Sequence, residues 1–127
     1  EKVWAGERLS HMDAGLPIPQ NYPVYPVQSW QLGHQRLVAL GGEVVVEYAI
    51  RLKRLLGPDL FVMAYANDVM AYIPSLRILR EGGYEGFSSS RVYNLPAPWA
   101  PTIEEKLVRS AYEQVQSLPP LHPDSHK

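Results

Sequence analysis

The sequence predicts an α/β fold: a mixed sheet with a β-hairpin followed by a β-α-β crossover, flanked by helices. Two short strand-like runs, at 27–32 and 36–40, are separated only by the break at Gly33-His34. Such spacing makes an antiparallel hairpin the economical arrangement, although the turn is not of the favoured Asn-Gly type. A helical period and a further strand-like run follow, and together they indicate parallel pairing in the same sheet.

The crossover is predicted from a change of period directly after the second strand. From Glu43 to about Leu56 the apolar residues are spaced for one broad helical face, and Gly57-Pro58 ends the helix. An apolar run of strand length then spans 60–65. Strand, glycine turn, helix and strand in this order form a crossover between parallel strands.

Three further helices are expected to flank this unit. The first spans 2–14, with Ala5, Leu9 and Met12 on one face and Gly15 as its terminator. A short helix spans 76–81 and is capped by Ser75, and a final helix starts after a Thr102–Glu105 capping box.

The segments between these elements are rich in proline and glycine. Residues 16–23 are expected to be extended, and residues 67–74 to form a loop. Residues 84–101 are expected to be an irregular ordered loop that carries aromatic side chains, and 118–127 a mobile tail.

Composition narrows the class of function. The 127-residue chain is 46% apolar with a net charge of −1, so it can bury a core and has no basic stripe for nucleic acid. The absence of cysteine excludes thiolate metal sites and disulfides. No run of about 18 apolar residues occurs, so no membrane span is expected.

Two loops are expected to meet where chemistry is common in α/β sheets. Gly41-Gly42-Glu43 follows one parallel strand, and the loop from Asn67 to Tyr72 follows the other. Ligands gather beyond the carboxyl ends of such strands, so Glu43 and the 67–72 loop are predicted on one sheet edge. Taken alone, Glu43 also suits a helix dipole and Tyr72 also suits packing, and both alternatives stay open.

The four histidines do not form a metal-binding set. They are His11, His34, His122 and His126, without the His-x-His or His-x-x-x-His spacing that a zinc site favours on one element. His122 and His126 are four residues apart, but Pro123 argues against a helical pair. All four are interpreted as solvent-facing or structural.

Three segments together resemble the neutral/alkaline non-lysosomal ceramidase family. Residues 42–53 resemble its motif of Gly-Glu opening a helix that ends in an Arg-Leu-Arg/Lys turn. Residues 67–74 resemble its Asn-x-x-x-x-Tyr-Ile/Val-Thr segment, and Tyr84-Glu85 stands where the family has a Tyr-Glu pair. The resemblance covers roughly residues 24–116, and its specificity comes from the order and spacing of all three segments.

The resemblance implies a function and roles for particular residues. It implies zinc-dependent hydrolysis of an N-acyl amide such as ceramide by zinc-bound water, with two histidines, a glutamate and a tyrosine as ligands. Glu43 and Tyr72 match the glutamate and the tyrosine. Tyr84 matches a catalytic tyrosine that contacts the substrate or the developing oxyanion, and Asn67 with Tyr84 would bind substrate.

The same resemblance implies partners and a domain organisation. Residues 1–117 would be the C-terminal part of a larger catalytic domain, whose N-terminal half, on the same or a separate chain, supplies both histidines. The substrate would be lipid-like or another amide, and the location secreted or periplasmic. Gly41 replaces the family's proline, and 74–80 depart from its pattern, which leaves the substrate open. The alternatives are a non-catalytic α/β binding or structural module and a hydrolase of a different amide or ester.

Overall fold

A computed structural model describes residues 2–18 and 22–121, and it has the α/β architecture that the sequence predicts. Its strands are β1 (Val27–Leu32), β2 (Gln35–Leu40), β3 (Glu43–Val44), β4 (Phe61–Met63) and β5 (Tyr72–Ile73). Its α-helices are α1 (Lys2–Asp13), α2 (Val46–Leu56), α3 (Leu76–Glu81), α4 (Ser89–Val92) and α5 (Ile103–Gln116). A π-helical turn, Tyr84–Ser88, precedes α4.

The strands form two small sheets that share the chain around Gly41. In the first, β1 pairs antiparallel with β2, and β2 pairs parallel with β4. The predicted hairpin and the predicted β-α-β crossover are therefore confirmed. In the second sheet, β3 pairs parallel with β5. The short second sheet begins three residues after β2 ends, so it extends the carboxyl edge of the first.

The core lies where α2 and α5 pack on the sheet. Apolar residues at helical spacing on both helices are buried in one cluster with residues of β2. The largest of them are Tyr48 and Leu52 of α2, Val38 and Leu40 of β2, and Val115 of α5. The Tyr48 hydroxyl donates to the Pro74 carbonyl at 3.1 Å, which ties α2 to the segment that follows β5.

The helix expected to begin at Glu43 begins at Val46 instead. The Glu43 N–H donates to the Ala71 carbonyl at 2.8 Å, so residues 43–44 join a strand pair before the helix begins. For the same reason the expected loop at 67–74 contains β5. The sequence is compatible with this strand pair, because the β-branched residues Val44 and Ile73 favour strands.

The expected capping box at Thr102 is wrong. The Thr102 side chain makes no capping hydrogen bond, and Glu105 does not fold back onto the helix end. Instead Arg51 of α2 binds Glu104 at 2.9 Å and Glu105 at 2.5 Å. A guanidinium offers charged, paired donors, and it competes successfully with a single backbone N–H.

The expected irregular loop at 84–101 contains the π-helical turn and α4. Gly86 lets this turn approach α3, because a Cβ there would lie 2.3 Å from the Ile78 carbonyl oxygen. The turn is also linked to α4, because the Ser90 hydroxyl donates to the Phe87 carbonyl at 2.7 Å. Helical structure here is thus set by packing on α3.

Helix α1 forms as expected, but its apolar face is not a core face. Leu9 and Met12 are exposed, and no residue of α1 is buried. The helix is held by polar contacts: the Trp4 indole donates to the Leu95 carbonyl at 2.9 Å, and Arg8 donates to Asn94.

The two remaining helix assignments hold. The Ser75 hydroxyl accepts from the Ile78 N–H, as a cap of α3 should, and α5 runs to Gln116. Beyond α5, the Pro119 carbonyl accepts a hydrogen bond from Arg36 at 3.0 Å. The rest of the predicted tail, 122–127, lies outside the described residues. None of the described helices has the length and apolar character that crossing a bilayer requires.

Candidate functional site

Glu43 and Tyr72 face each other in neighbouring strands. They are register partners in the parallel β3–β5 pair. The chain reaches this position through Gly42, whose φ of 70° is left-handed and whose N–H donates to the Asp68 carbonyl at 2.7 Å. A Cβ on Gly42 would lie 2.8 Å from the Ala71 carbonyl oxygen, so glycine is required for this close approach. The predicted meeting of Glu43 with the 67–72 loop is confirmed.

The loop after β4 folds back onto the end of β2. The Tyr65 N–H donates to the Gly42 carbonyl at 2.9 Å, and the Ala66 N–H donates to the Leu40 carbonyl at 3.0 Å. Tyr65 and Asn67 have φ values of 57° and 68°, which residues other than glycine seldom adopt. Left-handed backbone of this kind is concentrated at functional sites, and here it turns the loop towards Glu43.

The Glu43 carboxylate affects the pKa of two phenols. Hydrogen bonding to Glu43, with smaller contributions from desolvation and from its charge, raises the pKa of Tyr72 to about 12. The same causes in the same order raise the pKa of Tyr65 to about 12. Both hydroxyls therefore remain protonated donors at neutral pH, because ionising either phenol would place a second negative charge beside the carboxylate.

Tyr84 lies on the exposed side of this cluster. Its ring meets the Tyr72 ring edge to face, with centroids 5.4 Å apart, and Tyr93 approaches Tyr72 similarly at 6.3 Å. Tyr84 opens the π-helical turn and is 48% exposed, so its ring contacts Tyr72 while its surface remains accessible. The structure thus brings together Glu43, Tyr72 and Tyr84, three of the four predicted site residues.

Asn67 is engaged elsewhere. Its side-chain amide donates to the Gln28 side chain of β1 at 3.0 Å. Its left-handed backbone suits asparagine, which tolerates this region better than most residues. The structure therefore gives Asn67 a clear role in the loop conformation, and its predicted part in substrate binding stays a prediction.

Hydrogen bonds to the backbone support the strand ends. The Trp99 indole donates to the Tyr72 carbonyl at 2.8 Å, and the Tyr25 hydroxyl donates to the Gly41 carbonyl at 2.5 Å. Gly41 packs so tightly that a Cβ would lie 2.8 Å from Pro26. The close packing of Pro26 thus explains why a glycine stands at position 41.

The donor atoms that the structure brings together are a carboxylate and phenols. Zinc accepts carboxylate oxygen readily, and a phenol becomes a ligand beside a strong cation, so Glu43 and Tyr72 fit two positions of a zinc site. Within residues 2–18 and 22–121, no three His, Cys, Asp or Glu side chains form a metal-binding group. His11 lies in α1, and His34 precedes β2 at the end far from Glu43. His122 and His126 lie outside the described residues.

Tyr65 was missed by the sequence reasoning. The residue stands at the end of the predicted strand 60–65, where an aromatic side chain is an ordinary strand residue. The effect of Glu43 on the pKa of the Tyr65 hydroxyl is what associates this residue with the site. Proximity to Asn67-Asp68, a pair typical of turns, was the one available signal.

Comparison of the chain with protein-family models, with curated proteins and with solved structures gives no match.

Proposed function

We propose that this chain carries part of the active site of a zinc-dependent amidohydrolase of the neutral-ceramidase type, which hydrolyses an N-acyl amide. Glu43 and Tyr72 supply two oxygen ligands. The single observation that supports this most strongly is their pairing across β3 and β5, which puts Tyr72 close enough to Glu43 for the carboxylate to raise its pKa. The motif resemblance of residues 42–53 and 67–74 supplies the reaction class.

The chemistry of the pair is consistent with this role. A carboxylate beside a phenol favours the protonated, neutral phenol, and the raised pKa of Tyr72 reflects this effect of Glu43. A divalent cation reverses this preference, because it favours loss of the phenol proton. Zinc, when bound, supplies a Lewis acid and an activated water. Tyr84 stands against Tyr72 with an exposed face, and there it would donate to the substrate carbonyl oxygen as charge develops.

The remaining two ligands are proposed to be histidines of a second segment, the N-terminal half of the catalytic domain. Catalytic zinc is usually held by three protein ligands and a water. Two oxygen ligands from this chain alone should therefore bind zinc only weakly.

A zinc titration of the chain followed by nuclear magnetic resonance tests the ligand assignment. We expect weak binding, with signals of Glu43 and Tyr72 perturbed first. Glu43→Gln and Tyr72→Phe should each weaken binding by about tenfold or more, since each removes a ligand atom. Glu81→Gln and Tyr112→Phe are matched controls, because both side chains lie on exposed helix surface away from β3 and β5. Equal affinity in all four variants would contradict the assignment.

Assays of amide hydrolysis test the division of the site. The chain alone should show no cleavage of ceramide or of a short N-acyl amide, with or without added zinc, because its ligand set is incomplete. Detectable hydrolysis by this chain alone would show that the site is complete and that the partial-site proposal is wrong.

The competing function is a non-catalytic α/β binding module, and one observation favours it. Glu43 lies beside the phenols of Tyr65 and Tyr72 and raises the pKa of both, as it would in a purely structural cluster. In that case zinc would perturb no residue of the cluster. A hydrolase of a different substrate would give another result. Zinc would then perturb Glu43, and the chain combined with the second half of the domain would cleave an ester or a short amide in preference to ceramide.

A further inference from the structure

A cavity lies between α1 and the segment that leads from α4 to α5. Its volume is about 700 Å³, which is within the range of small-molecule sites in proteins. Its walls are mainly apolar and aromatic, and they include Ile18, Tyr22, Leu95 and Trp99. The lining also contains Arg8 of α1 and Asn94, whose side chains are hydrogen-bonded to each other. An apolar interior with a localised cation is typical of a site for an organic anion.

Arg8 is a cation without a carboxylate partner. Its Nη2 donates to the Asn94 backbone carbonyl at 2.7 Å and to the Asn94 side-chain oxygen at 2.6 Å. Within residues 2–18 and 22–121 no acidic side chain pairs with Arg8, and its Nε is buried without a hydrogen-bond acceptor. Buried N–H groups without a partner are rare in folded proteins. The two neutral acceptors therefore orient the guanidinium and leave its charge uncompensated.

The turn after α4 holds the acceptors of Arg8 in place. Asn94 has a left-handed φ of 55°, and its two oxygens accept from the same guanidinium nitrogen. The Asn94 N–H donates to the Arg91 carbonyl at 3.2 Å, and the Leu95 N–H donates to the Ser90 carbonyl at 2.8 Å. A side chain that is already held in one orientation loses less conformational freedom when a ligand binds. Arg8 is thus preorganised to bind an anion.

The aromatic wall of the cavity consists of Tyr22 and Trp99. Their ring centroids are 5.8 Å apart, with an angle of 59° between the ring planes. The polar atoms of both residues already have partners, because the Tyr22 hydroxyl donates to the Asp68 carboxylate and the Trp99 indole donates to the Tyr72 carbonyl. The two residues therefore offer their rings to a ligand, and aromatic rings pack favourably with a further ring.

We propose that this cavity binds a small aromatic carboxylate, with the carboxylate on Arg8 and the ring against Tyr22 and Trp99. A guanidinium matches a carboxylate in charge and in the geometry of its N–H groups. A single unpaired arginine suits a ligand with a single negative charge. Neither Glu43 nor Tyr72 lines the cavity, and the site needs no metal, so this inference does not depend on the proposed function.

Titration of the metal-free chain with 1-naphthylacetate, followed by nuclear magnetic resonance, tests the site. We expect saturable shifts of the Arg8, Leu95 and Trp99 signals, with a dissociation constant of about 1 mM or tighter. The matched ligand 1-naphthylacetamide has the same rings and no charge. It should bind about tenfold more weakly or worse, because it lacks the charge-assisted hydrogen bonds to the guanidinium.

Two variants assign the effect of charge to Arg8. Arg8→Met removes the charge and keeps an unbranched apolar side chain, so the affinity for 1-naphthylacetate should fall to that for the amide. Arg54→Met, on the exposed surface of α2, is the matched control and should keep the wild-type preference for the acid. Because acid and amide are compared on the same protein, their ratio separates loss of charge from loss of folded structure.

The outcomes that would overturn the inference are distinct. Equal affinity of the wild type for acid and amide, or an unchanged preference in Arg8→Met, would overturn the role of Arg8. The absence of shifts at Arg8, Leu95 and Trp99 with either ligand would overturn the site itself. Decanoate has the same charge and no ring, so tighter binding of decanoate than of 1-naphthylacetate would overturn the aromatic preference.

Discussion

Two carboxylates of this protein have contrasting surroundings. Glu104, which is 15% exposed, binds the Arg51 guanidinium at 2.9 Å through one oxygen and accepts the Leu76 N–H at 2.7 Å through the other. Glu43 instead influences the phenols of Tyr65 and Tyr72, whose pKa values it raises. The first carboxylate is neutralised by a cation and a backbone donor, while the second lies beside neutral phenols.

The contrast distinguishes a structural carboxylate from a candidate ligand. Glu104 joins α2, α5 and the start of α3, so its interactions are satisfied by the fold itself. Neutral phenols do not compensate the charge of Glu43, and an incoming cation would compensate it.

Gly42→Ala should have the largest effect, because it closes the approach that brings Glu43 to Tyr72. The φ of 70° is unfavourable for alanine, and its Cβ would lie 2.8 Å from the Ala71 oxygen. The strain and the overlap together should lower the free energy of unfolding by at least about 2 kcal/mol. Denaturant unfolding measures this loss.

Gly33→Ala is the matched control. Its φ of 61° is similar, but a Cβ there meets nothing within 4 Å. Only the conformational cost remains, about 1 kcal/mol. Equal losses in the two variants would show that the contact with Ala71 has no part in the stability of the strand pair.

Glu104→Ala should affect stability strongly and should leave zinc binding unchanged. It removes the acceptor of the Leu76 N–H and one partner of Arg51, at a cost of about 1–3 kcal/mol. Glu105→Ala should cost less, because Glu105 is exposed and binds only arginine side chains. Thermal unfolding compares the two, and a larger loss for Glu105 would contradict the structural role of Glu104.

Alkaline titration reports the Glu43 cluster. The pKa of Tyr65 and that of Tyr72 are raised to about 12, mainly by hydrogen bonding to Glu43, from an ordinary value of 10. A raised pKa stabilises the folded chain below the ordinary value, and this contribution is lost as pH rises through about 12. In Glu43→Gln, two tyrosines should therefore ionise nearer 10, measured by phenolate absorbance. An unchanged titration of the tyrosines in Glu43→Gln would show that Glu43 does not raise the pKa of Tyr65 and Tyr72.

Acid titration of Glu105 should give the smallest effect. Hydrogen bonding to Arg51 and its charge lower the pKa of Glu105 from the ordinary 4.5. A lowered pKa stabilises the folded chain above that ordinary value, and the contribution disappears as pH falls through the folded pKa. The difference in melting temperature between wild type and Glu105→Gln should thus shrink below pH 4.5. A difference that is constant with pH would show that the ion pair adds nothing.

The larger elements could be predicted from the sequence because their signals are local. A few neighbouring residues are enough to predict each of these elements. This holds for the two strands of the hairpin, for the helix that ends before Gly57 and for the Ser75 cap. The parallel crossover follows from their order alone, and it correctly places Glu43 near Tyr72.

The features that the sequence did not predict arise from contacts between residues that are distant in sequence. Thr102 loses its capping box because Arg51, distant in sequence, binds both glutamates. The two-residue strands at Glu43 and Tyr72 exist only as a pair, so neither has a signal of its own. Tyr65 joins the site through a left-handed backbone, which the spacing of apolar residues does not encode.

The most direct test of the central claim is anomalous diffraction from crystals of the chain soaked in zinc. We expect a zinc peak between the Glu43 carboxylate and the Tyr72 oxygen, at about 2.0–2.2 Å from the carboxylate oxygen. The same soak of Glu43→Gln crystals should lose that peak. Zinc bound only at His11 or His34, with the Glu43 and Tyr72 side chains unmoved, would contradict the claim.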